Sequence, residues 1–92
     1  MQAQARIAWN LRRLRVERGV SQEALAADAD VDRSYLGRLE RKLENPTILL
    51  LERLATALNV DLTDLLVAPP KGAKPPRPLQ AGRKVKRLPR TG

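Results

Sequence analysis

The sequence of 92 residues contains no cysteine and no histidine, and its only aromatic residues are Trp9 and Tyr35. Without cysteine there can be no disulfide and no thiolate metal site. Without histidine the chain lacks the commonest general base and the commonest metal ligand. We also find no glycine-rich phosphate loop and no carboxylates clustered for metal binding. We therefore expect no metal, no cofactor and no enzymatic activity.

Long apolar runs are also missing. The longest, residues 48–51, is far too short for a membrane helix, which needs about 20 apolar residues. The first residues lack the apolar stretch of a signal peptide. We therefore expect a soluble, cytoplasmic protein that makes no membrane contact.

Charge is distributed unevenly along the chain. Residues 1–67 carry ten Lys or Arg and ten Asp or Glu, so their net charge is zero. Residues 68–92 carry eight basic residues, no acidic residue and six of the seven prolines. A segment of this composition buries too little apolar surface to offset the entropy of ordering it. The sequence therefore predicts a folded domain over residues 1–67 and a disordered basic tail over residues 68–92.

Apolar residues at helical spacing predict five short helices in the folded part. Polar residues suited to cap helices 2 to 5 are Ser21, Asp32, Thr47 and Asp61. The predicted apolar stripes are Ile7, Leu11 and Leu14; Leu25 and Ala26; Leu36, Leu39 and Leu43; Leu51, Leu54, Ala55 and Leu58; and Leu62, Leu65 and Leu66. Helices this short are stable only when they pack on one another, so we predict a compact all-α bundle of five helices.

Helices 2 and 3 are joined by a very short turn. The cap Asp32 follows Ala29 by only three positions, which requires the helices to cross steeply, as in a helix-turn-helix. Helix 3, over about residues 33–42, has its leucines on one side. Its opposite side carries Ser34, Gly37, Arg38 and Arg41. A face of Arg, Ser and Gly suits the DNA major groove, because Arg can donate two hydrogen bonds to guanine.

Four motifs resemble the Cro/phage-repressor (XRE-type) family of helix-turn-helix DNA-binding domains. They are GVSQEALA at residues 19–26, LGRLER at 36–41, NPT at 45–47 and LATALNV at 54–60. The resemblance covers roughly residues 6–67. It implies a lambda-repressor-like domain of five helices, in which helix 3 reads double-stranded DNA.

The resemblance also implies which side chains contact DNA. The expected base contacts are Arg33, Ser34 and Arg38, and the expected phosphate contacts are Gln22, Arg41 and Lys42. The alternative for Arg33, Ser34 and Arg38 is an ordinary solvated helix face, and the alternative for Gln22 is a residue that merely suits the first turn of a helix. A further hypothesis is a structural ion pair between Arg15 and Glu40, because each lies beside the apolar stripe of its helix and the resemblance implies the same pairing.

Two positions depart from the pattern of the family. Asp30 stands where the turn of the motif usually has glycine, and Asp is one of the few residues that tolerate a left-handed backbone. Lys42 stands where glycine usually ends helix 3, so we expect this helix to extend past Arg41.

The alternative for the basic tail is a solvated extension, but eight cations without one acidic residue favour an arm that binds DNA phosphates. Its cations are Lys71, Lys74, Arg77, Arg83, Lys84, Lys86, Arg87 and Arg90. We predict a sequence-specific DNA-binding transcriptional regulator of the repressor type. It would bind as a homodimer through Leu62, Leu66 and Val67. The alternative is an antitoxin-type protein whose tail or bundle binds an acidic protein partner.

Overall fold

The computed structural model describes residues 2–72, and every regular element in this part of the chain is helical. The elements are α1 (Ala3–Glu17), α2 (Gln22–Ala29), α3 (Arg33–Glu40) and α4 (Ile48–Leu58), followed by a 3-10 helix (Leu62–Leu65). The predicted all-α bundle is confirmed. The fifth helix, however, is a short 3-10 helix and not an α-helix, and it buries Leu65 completely.

Polar side chains cap four of these five elements at their N-terminal ends, as predicted. Each capping side chain accepts a hydrogen bond from a backbone N–H of the first turn, which would otherwise lack a partner inside the helix. The cap and donor pairs are Ser21 with Ala24, Asp32 with Tyr35, Thr47 with Leu50 and Asp61 with Thr63. One cap contributes about 1 kcal/mol, which is substantial for helices of about two turns.

A residue with a left-handed backbone follows each of the four α-helices. These residues are Gly19 (φ 65°), Asp30 (φ 55°), Lys42 (φ 65°) and Asn59 (φ 58°). At each position the next residue donates its N–H to a carbonyl of the last helical turn, at 2.9–3.0 Å, which is the hydrogen bond of a Schellman motif. The turn of the helix-turn-helix therefore forms with Asp30 in place of glycine, as expected.

The expected extension of helix 3 is wrong. The helix ends at Glu40, and Lys42 takes the left-handed conformation that a glycine would adopt without steric cost. The resulting reversal turns the chain away from the core, so Leu43 is 63% exposed instead of continuing the apolar stripe. After Lys42, the Leu43 N–H donates to the Arg38 carbonyl at 2.9 Å, and this hydrogen bond closes the end of the helix.

Leucines from every helix form the core. The side chains that are 0–1% exposed include Leu11, Leu25, Leu36, Leu39, Leu54, Leu58 and Leu65. Helix α3 packs against α1 and α2, α2 also packs against α4, and the 3-10 helix packs against α1 and α4. Ala26, in the approach of α2 to its neighbours, is 3% exposed, and Val31 packs against the core at the turn, as expected. Helix α3 is thus anchored on one side only, and its other side faces solvent.

The predicted tail lies almost entirely outside the described residues. Lys71 is exposed, and the other seven tail cations belong to residues 73–92. The boundary between residues 67 and 68 stays a prediction.

Candidate nucleic-acid interface

The N-terminal end of α3 presents two of the expected base contacts to solvent. The carboxylate of Asp32 caps the helix by accepting the Tyr35 N–H at 3.0 Å, and the next two residues, Arg33 and Ser34, are both exposed. Two residues after Ser34, Leu36 is completely buried. Because the buried leucine fixes the rotation of the helix about its axis, Arg33 and Ser34 are held on the outside, where they can reach a ligand.

An ion pair between Arg15 of α1 and Glu40 of α3 lies behind this face. Arg15 Nε donates to Glu40 Oε2 at 2.7 Å, and Arg15 Nη2 donates to Oε1 at 2.9 Å. The two side chains are only 7% and 4% exposed. The remaining Nη1 donates to the Val20 carbonyl at 2.9 Å. The sequence-predicted pair is therefore present, in bidentate geometry, and it ties the C-terminal end of α3 to α1.

Gln22, an expected phosphate contact, is the first residue of α2 and already has a partner within the protein. Its Nε2 donates to Glu40 Oε1 at 3.2 Å, and the side chain is half-buried. A Cβ atom on Gly37 would lie 3.6 Å from Gln22 Oε1, so the glycine faces the start of α2. The amide of Gln22 thus links the buried ion pair to the surface between α2 and α3. To contact a phosphate, it must share or exchange the bond to Glu40.

Arg38, the third expected base contact, is partly exposed and also has a partner. Its Nε donates to Glu44 Oε2 at 2.7 Å, and its guanidinium lies 5.9 Å from the centre of the Tyr35 ring. Burial and the nearby Glu44 carboxylate raise the pKa of the Tyr35 hydroxyl, and Arg38 partly opposes this increase. The sequence does not predict the contact of Glu44 with Arg38, because nothing in the pattern of residues 41–47 indicates that the chain returns to Arg38.

The two remaining phosphate candidates lie at the C-terminal end of α3, and both are exposed. Arg41 is the first residue after the helix, and its Nε donates to the Gly37 carbonyl at 3.3 Å. Lys42 lies in the left-handed turn, beyond the helix and not on its outer face as the longer helix would have placed it. The structure therefore brings Arg33, Ser34 and Arg38 together on α3 and places Arg41 and Lys42 directly after its C-terminal end.

Arg53 of α4 supports the turn of the motif, a role that its position in the sequence does not reveal. Its Nε donates to the Ala29 carbonyl at 3.0 Å, and its Nη2 donates to the Asp30 carbonyl. The Asp30 carboxylate is also 3.8 Å from Nη2. A cation bound to the last carbonyls of α2 stabilises that helix end. Residues 24 positions apart make this contact, so no local sequence signal predicts it.

The surface predicted to form a dimer lies beside α1. Leu62 is half-buried, whereas Leu66 and Val67 are 36% and 46% exposed. The fully buried Asn10 donates its Nδ2 to the Val67 carbonyl at 2.8 Å, which fixes the backbone of this segment against α1. The sequence pattern does not predict this contact, which joins residues 57 positions apart.

Within residues 2–72, no group of acidic side chains could hold a metal ion. None of the helices in the same range is long and apolar enough to cross a membrane.

Known proteins that are similar to this chain in sequence include a hypothetical transcription factor and a transcriptional regulator. A hypothetical transcription factor of Neisseria meningitidis is 40% identical over 68 residues, which is 74% of this chain and 64% of that protein. The regulator SutR of Escherichia coli is 36% identical over 69 residues, which is 75% of this chain but 38% of SutR. The chain thus spans less than two thirds of the length of either relative.

A solved structure shares the fold. The crystal structure of the hypothetical transcription factor NHTF from Neisseria superposes with a TM-score of 0.72 at 40% identity, over 76% of this chain and 79% of that one. The model of the helix-turn-helix family HTH_3 matches residues 11–65, which include all of α2, α3 and α4. The chain therefore belongs to the XRE-type helix-turn-helix family.

Proposed function

We propose that this protein is a sequence-specific, double-stranded DNA-binding transcriptional regulator of the repressor type, which places it in the cytoplasm with the DNA. The observation that carries the proposal is the outer face of α3. Arg33 and Ser34 are exposed on a helix whose opposite side is fixed by buried leucines. The relatives named above as a transcription factor and a regulator support the same function.

In the proposed complex α3 lies in the major groove. Arg33 donates to guanine O6 and N7, Ser34 bonds a neighbouring base edge, and Arg38 reads a further base. Gln22 at the start of α2, with Arg41 and Lys42 after α3, binds phosphates on the two sides of the groove and sets the position of the helix. The base-reading residues lie on α3, and the phosphate-binding residues lie on either side of it, at the start of α2 and just after the end of α3.

Selection of bound fragments from random duplex DNA tests the function directly. The full-length protein should enrich one short sequence with two-fold symmetry. Arg33→Ala should then weaken binding to that sequence by about 1–3 kcal/mol and relax the preference at one position of each half-site. Arg12→Ala is the control, because it removes the same charge from the partly buried middle of α1. Failure to enrich any sequence would reject sequence-specific binding.

We further propose that the protein binds as a homodimer through Leu62, Leu66 and Val67. One α3 reads only a few base pairs, whereas two copies read half-sites about 10–10.5 bp apart. The exposure of Leu66 and Val67 supports this surface. Sedimentation of the complex should give two protomers per duplex. One protomer per duplex would contradict the dimer.

The basic tail is proposed to bind phosphates outside the recognised sequence. Residues 1–67 have no net charge, so the whole excess of +8 is available to attract DNA from residues 68–92. Each phosphate neutralised changes the slope of log K against log salt by about 0.9. Deletion of residues 69–92 should therefore flatten the slope by several units and leave the preference for the selected sequence unchanged. Equal slopes would instead favour the acidic protein partner.

The antitoxin-type alternative has no support from the relatives described above. An antitoxin would require a toxin partner, whereas the proposed regulator should protect its selected sequence from cleavage with no other protein present. A footprint that appears only when a second protein is added would favour the alternative.

A further inference from the structure

Glu44 forms an ion pair with Arg38, one of the proposed base-reading residues of α3. It lies in the loop between α3 and α4, and its Oε2 accepts the Arg38 Nε–H at 2.7 Å. The contact is not a chance approach of two long side chains, because the loop is fixed at both sides of it. The Leu43 N–H donates to the Arg38 carbonyl at 2.9 Å, and Gln4 Nε2 of α1 donates to the Glu44 carbonyl at 2.8 Å.

The hydrogen bond to Glu44 uses only Nε, the guanidinium nitrogen nearest the main chain. The two terminal nitrogens, Nη1 and Nη2, carry the pair of donors that matches O6 and N7 of a guanine. The Arg38 side chain remains 42% exposed, against 26% for Glu44. The guanidinium also lies against the Tyr35 ring, 5.9 Å from its centre. One side of the guanidinium is thus held by the protein, and the other is open to a ligand.

We propose that Glu44 is a positioning residue that determines the DNA specificity of Arg38; this inference rests on the proposed function. By holding Nε, the carboxylate points the terminal nitrogens of Arg38 at the base edge before DNA arrives. A pre-positioned arginine loses less rotamer freedom on binding than a free one, so more of its interaction with the correct base appears as affinity.

The negative charge of Glu44 also has a second effect. A free arginine on a DNA-binding surface can bind any phosphate, and such contacts strengthen binding to every sequence equally. A carboxylate at 2.7 Å partly neutralises Arg38 and repels phosphates, so a contact between Arg38 and the DNA backbone adds little affinity. Glu44 therefore lowers non-specific affinity while supporting the specific contact.

The test compares the wild type with Glu44→Gln, Arg38→Ala and the double variant on the selected duplex and on a scrambled duplex at one salt concentration. Glu44→Gln should bind the scrambled duplex more tightly but lose about fivefold in the ratio of specific to non-specific affinity, the lower limit for loss of one bidentate base contact. In the Arg38→Ala background the same substitution should leave the ratio unchanged, because the effect acts through Arg38.

Two further variants separate position from charge. Glu52→Gln removes one negative charge from an exposed site on α4, and it should tighten binding to both duplexes without changing their ratio. Glu44→Asp keeps the charge but shortens the side chain by one methylene, so it should lower the ratio without altering the salt dependence. Thermal melting of each variant establishes that it is folded at the assay temperature.

The outcomes are distinct. If Glu44→Gln raises the affinity for both duplexes equally, as Glu52→Gln is expected to do, the inference is overturned. Glu44 would then only compete with DNA phosphates by its negative charge. A loss of ratio that persists in the double variant would also overturn it, because Arg38 would not be the mediator. If no duplex is selected, the proposed function fails. If Arg38→Ala leaves all binding unchanged, the role of Arg38 in base reading fails. Both results differ from the two outcomes above, in which a duplex is selected and Arg38 contributes to binding.

Discussion

Helix α3 takes part in two arginine–glutamate pairs that share a chemistry and a distance but differ in their surroundings. In each pair an arginine Nε donates to a glutamate Oε2 at 2.7 Å. The pair of Arg15 and Glu40 has side chains 7% and 4% exposed, whereas that of Arg38 and Glu44 has side chains 42% and 26% exposed. The first joins α3 to α1, and the second joins α3 to the loop that follows it.

The difference shows that burial, and not the length of the bond, decides what an ion pair does. Removing one charge from a buried pair leaves the other charge buried without a counter-ion, and this is strongly destabilising. An exposed pair exchanges its partner for water or for a ligand at little cost. The buried pair therefore fixes the packing of α3 against α1, and the exposed pair is free to take part in binding.

The largest expected effect is that of breaking the buried pair. Glu40→Gln should lower the free energy of unfolding by about 3–5 kcal/mol, because Arg15 would remain charged and buried without a counter-ion. Chemical denaturation monitored by circular dichroism measures the change. Glu17→Gln is the matched control, since it breaks the exposed pair of Arg13 and Glu17, which are 28% and 53% exposed. Similar stability losses in the two variants would contradict the assignment of a structural role to burial.

Arg38→Ala should produce the opposite pattern, with a clear effect on binding and a small one on folding. We expect a loss of about 1–3 kcal/mol on the selected duplex, confined to sequences that contain the base it reads. Fluorescence anisotropy with single-base variants of the duplex provides the measurement. A uniform loss on every sequence would make Arg38 a phosphate contact.

The turn between the two glutamates can be changed without touching either pair. Lys42→Gly should stabilise the protein by about 1 kcal/mol, because glycine adopts the positive φ of this position without the steric cost of a side chain. Lys42→Ala is the control and should bring no such gain, since its Cβ meets the same obstacle. Thermal unfolding of the three proteins is sufficient. A loss of stability on introducing glycine would mean that the lysine side chain compensates for the strain.

The smallest effect is expected for the exposed pair itself. Glu44→Gln should change the free energy of unfolding by at most about 1 kcal/mol.

Tyr35, the only tyrosine of the chain, reports on the pair through the pKa of its hydroxyl, which burial and Glu44 raise above the ordinary value of 10.0. Ultraviolet titration should therefore give a lower Tyr35 pKa in Glu44→Gln than in the wild type. Arg38→Ala should raise the pKa, because it removes the opposing positive charge.

Much of the fold was predictable because its determinants are local. The caps Ser21, Asp32, Thr47 and Asp61 act on backbone groups two or three residues away, and the leucine stripes follow from helical spacing. The buried pair of Arg15 and Glu40 was also foreseen, because charged residues beside an apolar stripe must find a partner when the stripe is buried. The family resemblance implied the same pairing.

The end of α3 was not predictable from residue preferences. Lysine is a poor choice for a left-handed position, so the sequence favoured a longer helix with Leu43 on its apolar side. In the folded protein Leu36 and Leu39 already lie in the core, and the chain reverses at Lys42 to begin the approach to α4. Tertiary packing therefore overrode the local preference of one residue.

The sequence by itself determined the all-α architecture, the boundaries at the caps and the face of α3 that carries Arg33 and Ser34. Only the tertiary structure decided what those side chains meet. The contacts of Arg53 with Ala29 and of Asn10 with Val67 join residues 24 and 57 positions apart. The pair of Arg38 and Glu44, although six positions apart, depends on the reversal at Lys42. Hydrogen bonds and ion pairs form only where the packed core brings their atoms within about 3 Å, and no local pattern encodes that distance.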